Sequence, residues 1–140
     1  SLLLLVTPEP TAIADSYALL KVILARKSDA LLKLVVNMTE SHQEGQKINE
    51  NFAQLVMRFI GAQIDNLGYI PIDRYMRESV KRQIPIMQLD PVPPAAEVIE
   101  MLAIRLLALS SMSAEASFFE KVLQINSSGF GSQTPLRVNA

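Results

Sequence analysis

The sequence predicts an α/β fold built as a three-layer parallel sheet with crossover helices. Three observations carry that prediction. Short, continuously apolar runs bounded by Pro or polar turns read as strands covered on both faces. Segments with apolar residues at helical spacing alternate with those runs. Each connection between successive strands is longer than a dozen residues, which suits right-handed crossovers and is far too long for hairpins.

Leu2 to Thr7 is the first strand, stopped by Pro8. It is much shorter than the ~18 apolar residues of a membrane-spanning helix, and it lacks the basic flank and cleavage region of a signal peptide. Thr11 is expected to cap a helix running to about Lys27, with Ile13, Tyr17, Leu20 and Leu24 along one face. Ala30 to Asn37 is the second strand, followed by the polar loop "MTESHQEG". A helix from about Gln46 to Ala62 then carries Ile48, Phe52, Leu55, Val56 and Phe59. Asn66 to Pro71 forms a third strand and Ile72 to Gln83 another helix. The prolines of "PIMQLDPVPP" mark a loop, and the apolar helix Ala95 to Leu109 is expected to cover a face of the sheet. Residues 114–125 form an amphipathic segment with Phe118, Phe119, Val122 and Ile125 on one side, and the Ser/Gly/Asn-rich tail beyond is expected to be poorly ordered.

A chain of 140 residues can build one real core. Its net charge of -1 and the lack of an Arg/Lys run with interleaved aromatics give no field for steering onto nucleic acid. With no cysteine and the single His42, neither a disulfide framework nor a thiolate or histidine metal site is expected. Apolar residues make up 49% of the chain, enough that some apolar surface should face a partner or a missing segment. The methionines, Met57, Met76, Met87, Met101 and Met112 among them, read as core filler.

In open parallel sheets, ligands sit beyond the carboxyl ends of the strands. Thr7 to Pro10, Asn37 to Thr39 and Pro71 to Asp73 occupy those places. Taken singly they are ordinary turn residues. Chemically, an Asn amide offers a donor and an acceptor together, Pro71 fixes the backbone beside it, and Asp73 is placed to cap the next helix. Arg74, Arg77, Lys81 and Arg82 make a basic helix face, which is most simply a solvated one. Acidic groups such as Glu9 are favoured near a helix start in any case.

The strings "TPEPTAIADSYALLK" (Thr7 to Lys21), "LVVNM" (Leu34 to Met38) and "LGYIPIDRYMRESVKRQIPIMQLDP" (Leu67 to Pro91) resemble the MinD/ParA family of deviant P-loop ATPases. Within it they are most similar to the flagellar-number regulators called FlhG, FleN or YlxH. The resemblance covers about residues 2–109 and implies the C-terminal part of a P-loop NTPase fold, whose first strand here would lie mid-chain in the family. It implies a domain over 1–112, an amphipathic helix over 113–126 and a flexible tail over 127–140.

By resemblance, Asn37 recognises adenine through its side-chain amide, and Pro71, Ile72 and Asp73 lie along the base. Glu9 and Asp15 would face the partner subunit of a dimer closed around ATP. The full-length parent would use ATP with magnesium. The five glycines, Gly45, Gly61, Gly68, Gly129 and Gly131, form no phosphate-binding loop, so no catalytic residue, metal ligand or bound cofactor is expected within this chain. Expected partners are a second copy in a dimer, a flagellar or cell-pole protein, and the membrane surface through 114–125, where the flagellar branch often carries a targeting helix. Two Glu against one Lys is a poor balance for anionic lipid, and packing back on the domain is the favoured expectation. The expected location is cytoplasmic, peripheral at the inner membrane face if that segment docks there.

The rival expectation is a nucleotide-independent interaction module with an α/β fold. A flavodoxin-like receiver is weaker still, because it needs an acidic cluster after the first strand and only Glu9 stands there.

Overall fold

A computed structural model describes residues 2–26, 30–109 and 111. In chain order the elements are β1 (Leu2–Val6), α1 (Pro10–Arg26), β2 (Leu32–Thr39), α2 (His42–Ile60), β3 (Ile64–Pro71), α3 (Arg74–Arg82), a 3-10 turn at Ile86–Gln88, and a helix α4 over 94–109. The three strands pair in the order β1-β2-β3, all parallel. The described residues up to Ile104 form one compact unit; residues 105–109 and 111 belong to a second. The segments 113–126 and 127–140 lie outside the described residues.

With strands in sequential order, right-handed crossovers put α1 and α2 on the same face of the sheet. There Leu4, Val6, Leu32, Leu34, Val36 and Ile64 meet Leu20 and Leu24 of α1 and Phe52 and Val56 of α2. Each fully buried side chain of this kind contributes about 1.5–3 kcal/mol. The expected face of α1 is the observed one, since Ile13 and Tyr17 also pack on this core. Every residue from Leu32 to Val36 is buried, which is why the central strand reads as an unbroken apolar run.

The second face is also layered. Ile70 packs against a cluster of Ile86, Leu89, Ala95 and Ala96, joined by Met76 and Ile99, so α4 begins over the β3 side as expected of an apolar cover. This cover stops short of β1, where Leu3 and Leu5 are 48% and 54% exposed. Lys33 is buried on the same face, its alkyl stem under cover and its ammonium 2.7 Å from the carboxylate of Asp65, its in-register neighbour. That hydrogen bond holds the Asp65 carboxyl below the usual aspartate range, against an opposing effect of burial, and Gln63 adds a second bond at 3.1 Å.

Several boundaries differ from the sequence expectation. Helix α1 opens at Pro10, whose fixed φ suits the first helical position, and Thr11 lies inside the first turn instead of capping it. The stretch expected as the loop "MTESHQEG" already contains the start of α2, because the Ser41 hydroxyl accepts the Glu44 N–H at 3.1 Å and caps the helix four residues earlier. Its far end is closed by Gly61 at φ 74°, a left-handed position whose N–H returns to the carbonyls of Val56 and Met57. Strand β3 starts at Ile64, and α3 only at Arg74. Phe59 is 62% exposed, with the Arg58 guanidinium 5.2 Å from its ring centre. Met57, Met87 and Met101 are exposed and not core filler, since on α2 Gly45, Asn49, Phe52 and Val56 fill the buried stripe and leave Met57 outside it; Met76 is half-buried against the Ile86 cluster, and Met112 lies outside the described residues.

Candidate functional site

At the carboxyl end of the sheet the β2–β3 ladder loses its regular register. Asn37 pairs with Ile70, but the next partners are Thr39 and Pro71, so Met38 is an extra residue on β2. Met38 sits at φ 61°, a left-handed conformation uncommon for a side chain of its size and worth about 1–3 kcal/mol of local strain. Its N–H is taken up by the Asn37 Oδ1 at 2.9 Å. Thr39 then rejoins the neighbouring strand: its hydroxyl donates to the Ile70 carbonyl at 3.3 Å, and its own carbonyl accepts the Ile72 N–H at 2.9 Å. The bulge therefore aims Asn37 and Met38 outward while the 71–73 turn is fastened beside them.

Pro71 ends β3, Ile72 stands 57% exposed, and Asp73 caps α3. The Asp73 carboxylate is engaged on both oxygens, Oδ1 accepting the Tyr75 N–H at 2.9 Å and Oδ2 the Ala95 N–H at 3.1 Å. It thus ties the starts of α3 and α4 together, and its charge is directed at backbone donors.

These pieces enclose a pocket of about 360 Å³ lined by Asn37, Met38, Pro71, Ile72, Asp73, Arg74, Met76 and Arg77. Its volume falls in the range of small-ligand sites. The walls are mostly apolar, with polar groups gathered from Asn37 and from α3. Arg74 donates to the Tyr75 hydroxyl at 3.0 Å and lies 4.9 Å from that ring's centre, and the bond raises the pKa of its guanidinium further. Such an arrangement can hold a flat, partly apolar ring and recognise its edge through an amide.

All four residues expected along the base, Asn37, Pro71, Ile72 and Asp73, come together here from two strand ends and a helix cap. Glu9 and Asp15 do not line this pocket. Glu9 is exposed after β1, its carboxyl held low chiefly by a hydrogen bond from the Thr7 side chain, and Asp15 is exposed on α1. Met38 and Met76 are lining residues that the sequence expectation missed or set in the core. The signal for Met76 and Arg77 was present: three and four positions beyond the cap Asp73, they return to the face of α3 on which Asp73 stands.

A wider depression at the opposite end of the strands is lined by Lys21, Leu24, Ala25, Ala30 and the 59–63 segment. It lies at the amino ends, where open parallel sheets do not place their ligands. Among the described residues no group of three acidic, histidine or cysteine side chains could hold a metal ion, and no helix is long and apolar enough to cross a membrane.

No protein-family model matches the chain. The antiactivator FleN of Pseudomonas aeruginosa is 30% identical to it over 101 residues. That stretch is 72% of this chain and 36% of FleN, so the chain spans little more than a third of the relative it matches.

Proposed function

This chain is a distant relative of the flagellar-number regulators of the MinD/ParA branch, and from that premise we propose that it is the base-binding part of an ATP-dependent regulator of flagellar number or placement. The observation that carries the proposal is the convergence of Asn37, Pro71, Ile72 and Asp73 on one pocket of about 360 Å³ at the carboxyl end of a parallel sheet. In this role the Asn37 amide reads the edge of adenine. Met38, Pro71, Ile72 and Met76 pack on the ring, and Asp73 holds the turn in place through its two backbone hydrogen bonds.

The residues present fit the base half of ATP. They do not offer a donor set for magnesium among the described residues, and the proposal assigns neither metal binding nor hydrolysis to this chain. In the parent protein, triphosphate and metal would be held by a segment outside it. Glu9 and Asp15, exposed along β1 and α1, would face the second subunit of a dimer, and a flagellar or cell-pole protein would be the partner.

Calorimetric titration of the chain with ATP and with adenosine tests the proposal. Both should bind, and Asn37→Ala should weaken both by about tenfold, the equivalent of one good hydrogen bond of ~1.4 kcal/mol. Absence of binding, or binding indifferent to Asn37→Ala, would refute it. The exposed Leu3 and Leu5 favour a second reading, a nucleotide-independent interaction module, and that reading gains if the titrations stay silent.

A further inference from the structure

Helix α1 is apolar on two opposite sides, and the core uses one of them. Ile13, Tyr17, Leu20 and Leu24 pack on the sheet. On the other side Leu19 and Val22 stand 54% and 55% exposed in the middle of the helix. Helix α2, which covers the same sheet face, turns Lys47, Glu50 and Gln54 to solvent instead. An apolar helix side of this kind is ordinarily a buried one.

Leu19 and Val22 belong to a longer stripe with Asp15 and Arg26. Steps of four, three and four residues keep all four side chains on one line of the helix, and all four are exposed. Asp15 and Arg26, at its two ends, are separated along the axis by about 16 Å. Neither ion has a mate on its own helix. The residues three and four positions from Asp15 are Thr11, Ala12, Ala18 and Leu19, and those before Arg26 are Val22 and Ile23. No side-chain hydrogen bond or ion pair joins either one to another described residue.

The order acid, apolar, apolar, base is its own complement when reversed. Two such stripes can run antiparallel across a two-fold axis that passes between Leu19 and Val22. Asp15 of each copy then meets the partner's Arg26, and Leu19 of each meets the partner's Val22. Every position is matched and no like charges meet. Ala18, exposed beside the stripe, is small enough to let the two axes approach to about 8–10 Å.

We infer that the outer face of α1 is a contact between two copies of this chain, an antiparallel helix pair closed by two Asp15–Arg26 ion pairs around Leu19 and Val22. Charge and order select the occupant. An acidic or a basic partner would satisfy one end of the stripe and be repelled at the other, whereas a second copy satisfies both. The patch is small, which suits a weak, reversible dimer. The inference is independent of the base-pocket reading, and the contact needs no nucleotide.

Sedimentation equilibrium of the whole chain without nucleotide, at low salt and up to high micromolar concentration, tests it. Each variant is also made together with Leu5→Lys, which blunts association through the bare leucines of β1, and urea denaturation follows its folding. A monomer–dimer equilibrium that stops at two copies is the expected result. Asp15→Arg and Arg26→Asp should each weaken the dimer about tenfold, because two exposed ion pairs become two like-charge contacts. Combining the two substitutions should restore it, and Leu19→Lys should abolish it. A combined variant no better than the single ones would overturn the inference. So would a chain that is monomeric alone and dimeric only with ATP, which would return Asp15 to a dimer closed around the nucleotide. A monomer under both conditions would overturn it as well, and a urea midpoint lowered by Leu19→Lys would then give the stripe a cover from elsewhere in the same chain.

Discussion

Asn37 and Met38 show what single residues contribute to this sheet. The Asn37 amide has to serve the backbone before it can serve a ligand, because the bulge at Met38 leaves an N–H that only its neighbour's side chain reaches. Asn37 was legible in the sequence, as a donor–acceptor side chain at a strand end. Met38 was not, because nothing in a methionine announces a left-handed backbone. Lys33 was also hidden, a charge inside an apolar run whose partner lies 32 positions away. That pair makes stability depend on acid. With Lys33 holding the folded carboxyl low, Asp65 contributes fully above the unfolded value of about 3.9 and loses its contribution as pH falls through the lower folded value. Urea denaturation at neutral pH and near pH 3 should therefore show Asp65→Asn less stable than the unmodified chain in the first case, with the gap narrowed in the second.

Elements were read well where a buried stripe is long and poorly where a cap decides. The stripes of α1 and α2 give the helices their identity, and the observed core holds Leu20, Leu24, Phe52 and Val56 from the expected faces. The start of α2 was misread because its first turn is polar and Ser41 looks like any loop residue until its hydroxyl is seen on the Glu44 N–H. Another feature of α2 depends on space. A Cβ on Gly45 would stand 2.5 Å from the ring of Tyr69, so the helix can lie this close to β3 only because that side chain is missing. Tyr69 is held there edge-on to His42, with ring centres 4.8 Å apart. Gly45→Ala gains up to about 1 kcal/mol in helix propensity and loses about 1–3 kcal/mol to overpacking. Net destabilisation is the expected outcome, read as a lower urea midpoint at unchanged slope; a stabilised variant would show that the two elements can move apart freely.

At the scale of the molecule, the same asymmetry that builds the pocket leaves an edge open. Cover on the second face gathers over β3, where Asp73 and Ala95 join α3 to α4. Strand β1 is left at the rim with two half-exposed leucines and no charge, proline or bulge to discourage pairing. The α/β class was legible from alternation alone. Which side would be crowded and which bare was not, because it depends on how the 84–99 segment folds back, and prolines mark that segment only as a loop. The chain should self-associate with rising concentration in light scattering, and Leu5→Lys should reduce the effect; a monomer at all concentrations would mean that the edge is protected in some other way.

The central claim is that a purine base is bound where β2 and β3 end. A two-dimensional NMR titration of the isotope-labelled chain with ATP tests it most directly. The amides of Asn37, Met38 and Thr39 and those of Ile70, Ile72 and Asp73 should shift together and saturate with one binding constant. Shifts confined to the 59–63 groove at the opposite end of the sheet, or no shifts at millimolar ATP, would contradict the account.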